Sequence, residues 1–157
     1  MLETTKLWFD KAVKNPTNKN LHVQIGCHLE EVAEMLASIT VKPMAESGLC
    51  PTTQLQTVHQ AVDMLATAFK TGQVSITNID IKELLDSLAD QIVTGVGVGH
   101  MLHLNVPKAL ELVNESNWSK FVDGEPIFDA NGKIAKGPNF HKPDLTELSE
   151  QVLPPSI

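Results

Sequence analysis

The chain has 157 residues, 42% of them apolar, and a net charge of −7, enough for one domain with a core of its own. All 12 cationic residues are lysine, and an acidic chain without arginine forks argues against a nucleic-acid polymer as partner. The apolar stretches are broken by charge and the N-terminus MLETTKLWFDK has no signal-peptide pattern, so the expectation is a cytoplasmic protein with no membrane partner.

Apolar periodicity predicts a first helix over Thr5–Lys14, with Leu7, Trp8, Ala12 and Val13 apolar, ended by NPTNKN. A second is predicted over about Leu21–Ile39. It buries Leu21, Ile25, Leu29, Val32 and Leu36 and carries Gln24, His28, Glu31 and Glu34 on its other face. KPMAESGLCP is a turn-rich link. Thr53-x-x-Gln56 has the form of a capping box opening a third helix, with Leu55, Val58, Val62, Leu65 and Phe69 at core spacing and Gly72 as its stop. The fourth helix, near Ile81–His103, is the longest and most apolar, and Asp80-x-x-Glu83 fits a capping box at its start. Its Gly95, Gly97 and Gly99 each cost up to about 1 kcal/mol relative to Ala. They lack the preceding strand of a nucleotide-binding loop, so close helix–helix approach is their expected use.

Pro107 opens a short fifth helix to about Glu115, with Ala109, Leu110 and Val113 inward. The text that follows is rich in turn residues. Asn131-Gly132 between IFD and KIA predicts a small hairpin, and Asp144-x-x-Glu147 caps a last helical turn before LPPSI. The expected fold is all-α: a four-helix bundle over about residues 5–118 with a short C-terminal hairpin and tail over 119–157, in a single domain. Few aromatics (4%) and the row Val93, Val96, Val98 and Leu102 on the fourth helix point to an oligomer, a second copy covering what one small core cannot. Cys27 and Cys50 read as reduced thiols, and Trp8 and Trp118 as core residues.

Two clusters of acids stand out. Glu30, Glu31 and Glu34 lie in HLEEVAEML, and Glu83, Asp86 and Asp90 in KELLDSLADQ; no lysine occurs between Lys19 and Lys42 or between Lys82 and Lys108. At about 100° per residue each cluster falls within a narrow arc, where like charges repel by a few tenths of a kcal/mol per pair. Such stripes need a compensating cation. With none beside them in the sequence, a divalent metal is the economical candidate, and hard oxygen ligands favour Mg²⁺ or Mn²⁺. The second and fourth helices, set antiparallel in a bundle, could bring the two half-sites face to face. A di-iron or zinc reading from His28, His100 and His103 is poorer, because His28-x-x-Glu31 runs in the wrong order and only once.

HLEEVAEML, followed by a long helix bearing LLDSLADQIVTGVG, resembles the all-α nucleoside triphosphate pyrophosphohydrolases, the superfamily of MazG, the dimeric dUTPases and phosphoribosyl-ATP pyrophosphohydrolase. That superfamily carries EExxE on one helix and ExxD on a later one, together holding Mg²⁺ at the α–β phosphates. Glu30, Glu31 and Glu34 match the first motif. In the second, SLAD places Asp90 on the aspartate and Ser87 on the glutamate; Asp86 one residue earlier, or Glu83-x-x-Asp86 one turn upstream, are the alternatives. VPKALELVNESNWSKF and DGEPIFDANGKIAKGPNFHKPDL are similar to the tail of phage-type MazG-like members. There an SNxSK segment, here Ser116, Asn117, Ser119 and Lys120, is expected at the phosphate chain. The likeness spans about Gln24 to Leu145.

The resemblance implies cleavage of an NTP between the α and β phosphorus into NMP and pyrophosphate, with dUTP and dGTP as leading substrates. Charge must be neutralised on the leaving pyrophosphate and the attacking water, which metal ions held by carboxylates do. It implies Glu31 as the base, Glu30, Glu34, Asp86 and Asp90 as metal ligands alongside it, and Asn117 and Lys120 on the phosphates. Lys133 and Lys136 are further phosphate candidates, and Gln24 and His28 face the nucleotide. A homodimer or dimer of dimers is implied. The competing reading is a non-catalytic helical interaction module, a family member made degenerate by Ser87.

Overall fold

The computed structural model describes residues 1–41 and 51–150, and the chain is all-α. Among the described residues six helices follow in order: α1 (Leu2–Ala12), α2 (Asn18–Ala37), α3 (Pro51–Lys70), α4 (Ile81–Met101), α5 (Val106–Trp118) and α6 (Thr146–Ser149). Among the described residues, extended pairing is confined to the isolated bridges Val122–Glu125 and Phe128–Ile134. The link at residues 42–50, with Cys50, and the LPPSI end lie outside the described residues. Two compact units emerge. One holds Asn15–Ile76 with Asp129–Lys133; the other holds Met1–Lys14, Thr77–Phe128 and the chain from Ile134.

In the first unit α2 packs along α3. Thr17 opens α2 by accepting the Asn20 amide at 3.2 Å, while the Asn20 Oδ1 accepts the Thr17 amide at 3.0 Å. This is a capping box with Asn where Glu or Gln is usual, and it starts the helix before the expected Leu21. The seam differs in phase from the expected stripe. Val23, Gly26 and Ala33 are buried on α2 and Ala66 is fully buried on α3, whereas Leu21, Val58 and Leu65 are exposed. Small residues let the two backbones close up, so Ile25, Leu29, Val32 and Leu36 flank the contact half-buried rather than filling it.

Helix α3 begins at Pro51, so Thr53 sits within its first turn rather than at its cap. It ends as expected at Gly72, with φ +72°. The Gln73 amide donates to the Ala68 carbonyl at 2.9 Å and the Gly72 amide to that of Phe69 at 3.3 Å, the paired bonds that close a helix on a left-handed residue. His22 then ties the following chain to α2. Its Nε2 accepts the Ile76 amide at 3.1 Å, which leaves Nδ1 to donate to the Asn18 carbonyl at 2.7 Å.

The second unit is built on Trp8, Ala12 and Phe121, with Phe9, Val13, Trp118 and Ile134 packed around them. The Trp8 and Phe121 rings stack at 5.7 Å, and the Trp8 indole donates to the Asn117 carbonyl at 2.9 Å. Helix α1 runs three residues upstream of its expected start, and Leu7 is exposed. Asn105 caps α5 by accepting the Lys108 amide at 3.0 Å, and α5 continues to Trp118, past the expected Glu115. Ala109, Leu110 and Val113 are half-buried; the buried positions are Asn114, bonded to Thr5 at 2.9 Å, and Ser116.

Helix α4 departs furthest from expectation. Asp80 caps it by accepting the Glu83 amide at 3.1 Å. Yet Ile81, Leu85, Val93, Val98 and Met101 are exposed, and Gly99 is its one buried position among the described residues. Gly99 abuts Val106, as close approach requires. Space is open around Gly95 and Gly97.

Candidate functional site

Glu30 lies on the seam face of α2, one turn beyond Gly26. The Lys70 ammonium, at the end of α3, donates to Glu30 Oε1 at 2.7 Å, and the Lys133 ammonium donates to Oε2 at 3.0 Å. Each carboxylate oxygen thus has its own ammonium. Gly26 makes the first contact possible, because a Cβ there would stand 2.6 Å from Lys70 Cγ and 2.7 Å from the Ala66 carbonyl oxygen. A turn delivers Lys133: Asp129 Oδ1 accepts the amides of Asn131 and Lys133, both at 2.9 Å, and Gly132 takes φ +87°. The hairpin expected at Asn131-Gly132 is therefore a single-bridge reversal whose tip carries Lys133 to α2.

The pKa shifts follow this geometry. The Lys70 hydrogen bond, opposed by burial and helped by Lys133, holds the Glu30 carboxyl below its ordinary value. Burial pulls the Lys133 ammonium down, but the Glu30 hydrogen bond and nearby negative charge outweigh it and leave it above its ordinary value. Burial pushes the Cys27 thiol up. The expectation that no protein cation offsets the first acidic stripe is overturned at Glu30, where two lysines distant in sequence do so.

Gln24, His28, Glu31 and Glu34 all lie on the exposed face of α2, as read from the sequence. On α4, Asp86 and Asp90 are exposed one turn apart and Ser87 is half-buried. The two stripes belong to different units. Among the described residues no three His, Cys, Asp or Glu side chains converge on one point. The donor chemistry nevertheless suits Mg²⁺, which is commonly held by one or two carboxylates while substrate phosphates and water complete its octahedron. Glu31 with Glu34, and Asp86 with Asp90, are pairs of that kind.

The tail residues separate. Lys120 donates to Asn117 Oδ1 at 2.7 Å, and its ammonium lies 5.7 Å from the Trp8 ring centroid. The structure thus bonds Asn117 and Lys120 to each other. Ser116 donates to the His141 carbonyl at 2.7 Å, and Ser119 accepts the His141 amide at 3.1 Å, so both hydroxyls pin the tail. Gly137 allows that tail to pass Lys120, since a Cβ there would meet the Lys120 carbonyl oxygen at 2.8 Å. The Lys136 ammonium sits 4.8 Å over the Phe140 ring.

An open pocket of about 420 Å³ lies in the α2–α3 unit, with Lys19, His22, Phe69, Lys70 and Asn131 in its lining. Sequence reading missed Lys70. A lysine in the last turn of a helix is ordinary dipole complementarity, and nothing local links it to a glutamate 40 positions away. No family model, curated protein or solved structure matches the chain. Among the described residues, no helix is long and apolar enough to cross a membrane.

Proposed function

We propose that the chain is a metal-dependent (d)NTP pyrophosphohydrolase that cleaves the α–β bond to release (d)NMP and pyrophosphate. The observation that carries this reading lies within one unit. The exposed face of α2 offers Glu31 and Glu34, and Glu30 beside them gathers the ammoniums of Lys70 and Lys133. Acidic oxygens for a cation and lysines for phosphate oxygens are the two components that an NTP–Mg²⁺ substrate needs. The resemblance of EExxE, DSLAD and the SNWSK tail to the all-α pyrophosphohydrolases supports the same reading.

When bound, Mg²⁺ or Mn²⁺ supplies charge neutralisation at the scissile linkage. Glu30, Glu34, Asp86 and Asp90 are its proposed ligands. Glu31, exposed on α2, accepts the proton of the attacking water. Asn117 and Lys120 orient the phosphate chain, and Gln24 and His28 face the nucleotide. A dNTP such as dUTP or dGTP is the proposed substrate, in the cytoplasm of the cell. The working form is a four-helix bundle closed by self-association as a dimer or dimer of dimers, a reading supported by the exposed apolar side chains of α4.

Those same side chains favour a second reading, a helical interaction module without turnover. Pyrophosphate release separates the two. The enzyme reading expects release from dUTP or dGTP with Mg²⁺ and none after EDTA; no release from any common NTP or dNTP favours the module.

A further inference from the structure

We infer that Lys70 and Lys133 form a phosphate grip held in reserve by Glu30, and that the open pocket of the α2–α3 unit is where a di- or triphosphate reaches it. Three observations converge. Two ammoniums share one carboxylate, at 2.7 and 3.0 Å, so the cluster retains a positive charge where a structural ion pair would need one lysine. Lys70 also lines the pocket of about 420 Å³, and among the described residues that line it there are two lysines, Lys19 and Lys70, and no acid. In a chain of net charge −7 a concave, acid-free lining with two lysines favours a polyanion. Finally, the cluster is assembled from three separate segments. Gly26 makes room for the Lys70 stem, and the turn anchored by Asp129 brings Lys133. Helix α3 and the turn meet at Glu30.

The His22 ring offers no free acceptor to the pocket. Both His22 ring nitrogens are bonded within the protein, to Ile76 and Asn18, so that ring is wall. Phe69 adds a half-buried apolar surface. A phosphate oxygen offers each ammonium a charged acceptor equivalent to the carboxylate oxygen it leaves. The exchange is therefore an ion swap: the lysines pass from Glu30 to the phosphates, and Glu30 is freed toward a cation. Metal and polyphosphate then bind cooperatively, each relieving the other's competitor. This deepens the proposed function and rests on it for the identity of the substrate, whereas the grip itself needs no turnover.

The probe is inorganic pyrophosphate, titrated calorimetrically into the full chain in metal-free buffer. Glu30→Gln keeps the side-chain shape and removes the competing charge; it should bind pyrophosphate at least about tenfold tighter than the parent chain. Adding Lys70→Met to that variant should abolish the gain. A folded Glu30→Gln chain with unchanged affinity overturns the inference, as does a gain that survives Lys70→Met. Should Glu30→Gln fail to fold, the parent chain with Mg²⁺ decides: Lys133→Ala should weaken pyrophosphate binding about tenfold, and unchanged binding overturns the grip. Pyrophosphate binding with this pattern but no NTP hydrolysis would keep the grip and remove the enzyme reading.

Discussion

Glu30 and Lys70 meet at 2.7 Å across the α2–α3 seam, and Gly26, one turn before Glu30, is what gives the lysine its path. Gly26→Ala would gain up to about 1 kcal/mol of helix propensity. It would also press a methyl against the Ala66 carbonyl, which is backbone and cannot swing aside; overpacking of that kind costs about 1–3 kcal/mol. The clash wins. Thermal denaturation should show a fall in Tm of roughly 2–4 °C per net kcal/mol lost, and a Tm equal to or above the parent's would contradict the seam geometry.

The same pair sets a pH signature. The Glu30 carboxyl is held below its ordinary value of 4.5, first by the Lys70 hydrogen bond. A depressed folded pKa contributes stability that is complete above the unfolded value and disappears as pH falls through the folded one. The stability difference between the parent chain and Glu30→Gln should therefore stay constant from neutral pH down to about 4.5 and close below it. Chemical denaturation at a series of pH values reads this. A gap that instead closes between pH 7 and 5 would mean that Glu30 is not paired as drawn.

Local chemistry was legible in the sequence where it was self-contained. Gly72 stops α3, Asp80 caps α4, and Asn131-Gly132 reverses the chain with Gly132 at positive φ. The exposed row Gln24, His28, Glu31 and Glu34 was also visible from the helical period. Other features had no local mark. The seam phase was missed because Gly26, Ala33 and Ala66 pack by being small, whereas periodicity weighs large apolar residues. The start of α2 was missed because Asn20 takes the place of the usual acid in the Thr17 box. Lys70 and Lys133 lie 40 and 103 positions from Glu30, so their pairing exists only in the folded chain.

Glu31→Gln and Asp90→Asn test the catalytic assignment without disturbing a core, since both side chains are exposed. Each should lower kcat by at least about two orders of magnitude, because losing a base or ligand removes several kcal/mol from the transition state. Circular dichroism should show unchanged helix content. Near-parental kcat in either variant would remove that residue from the site.

Self-association is tested on α4. Leu85 and Val93 are 69% and 68% exposed, so replacing both with Glu should leave the helix content of the chain intact. If a second copy covers this helix, sedimentation at micromolar concentration should shift from a dimer or tetramer to a monomer. A parental chain that already sediments as a monomer, or a double variant that still associates, would place the interface elsewhere or nowhere.

The position of bond cleavage tests the proposed activity most directly. With a dNTP, Mg²⁺ and ¹⁸O-labelled water, attack at the α-phosphorus should place the label in the deoxynucleoside monophosphate, with unlabelled pyrophosphate as co-product. Label in pyrophosphate would contradict attack at the α-phosphorus, and orthophosphate as the first product would contradict α–β cleavage and with it the pyrophosphohydrolase reading.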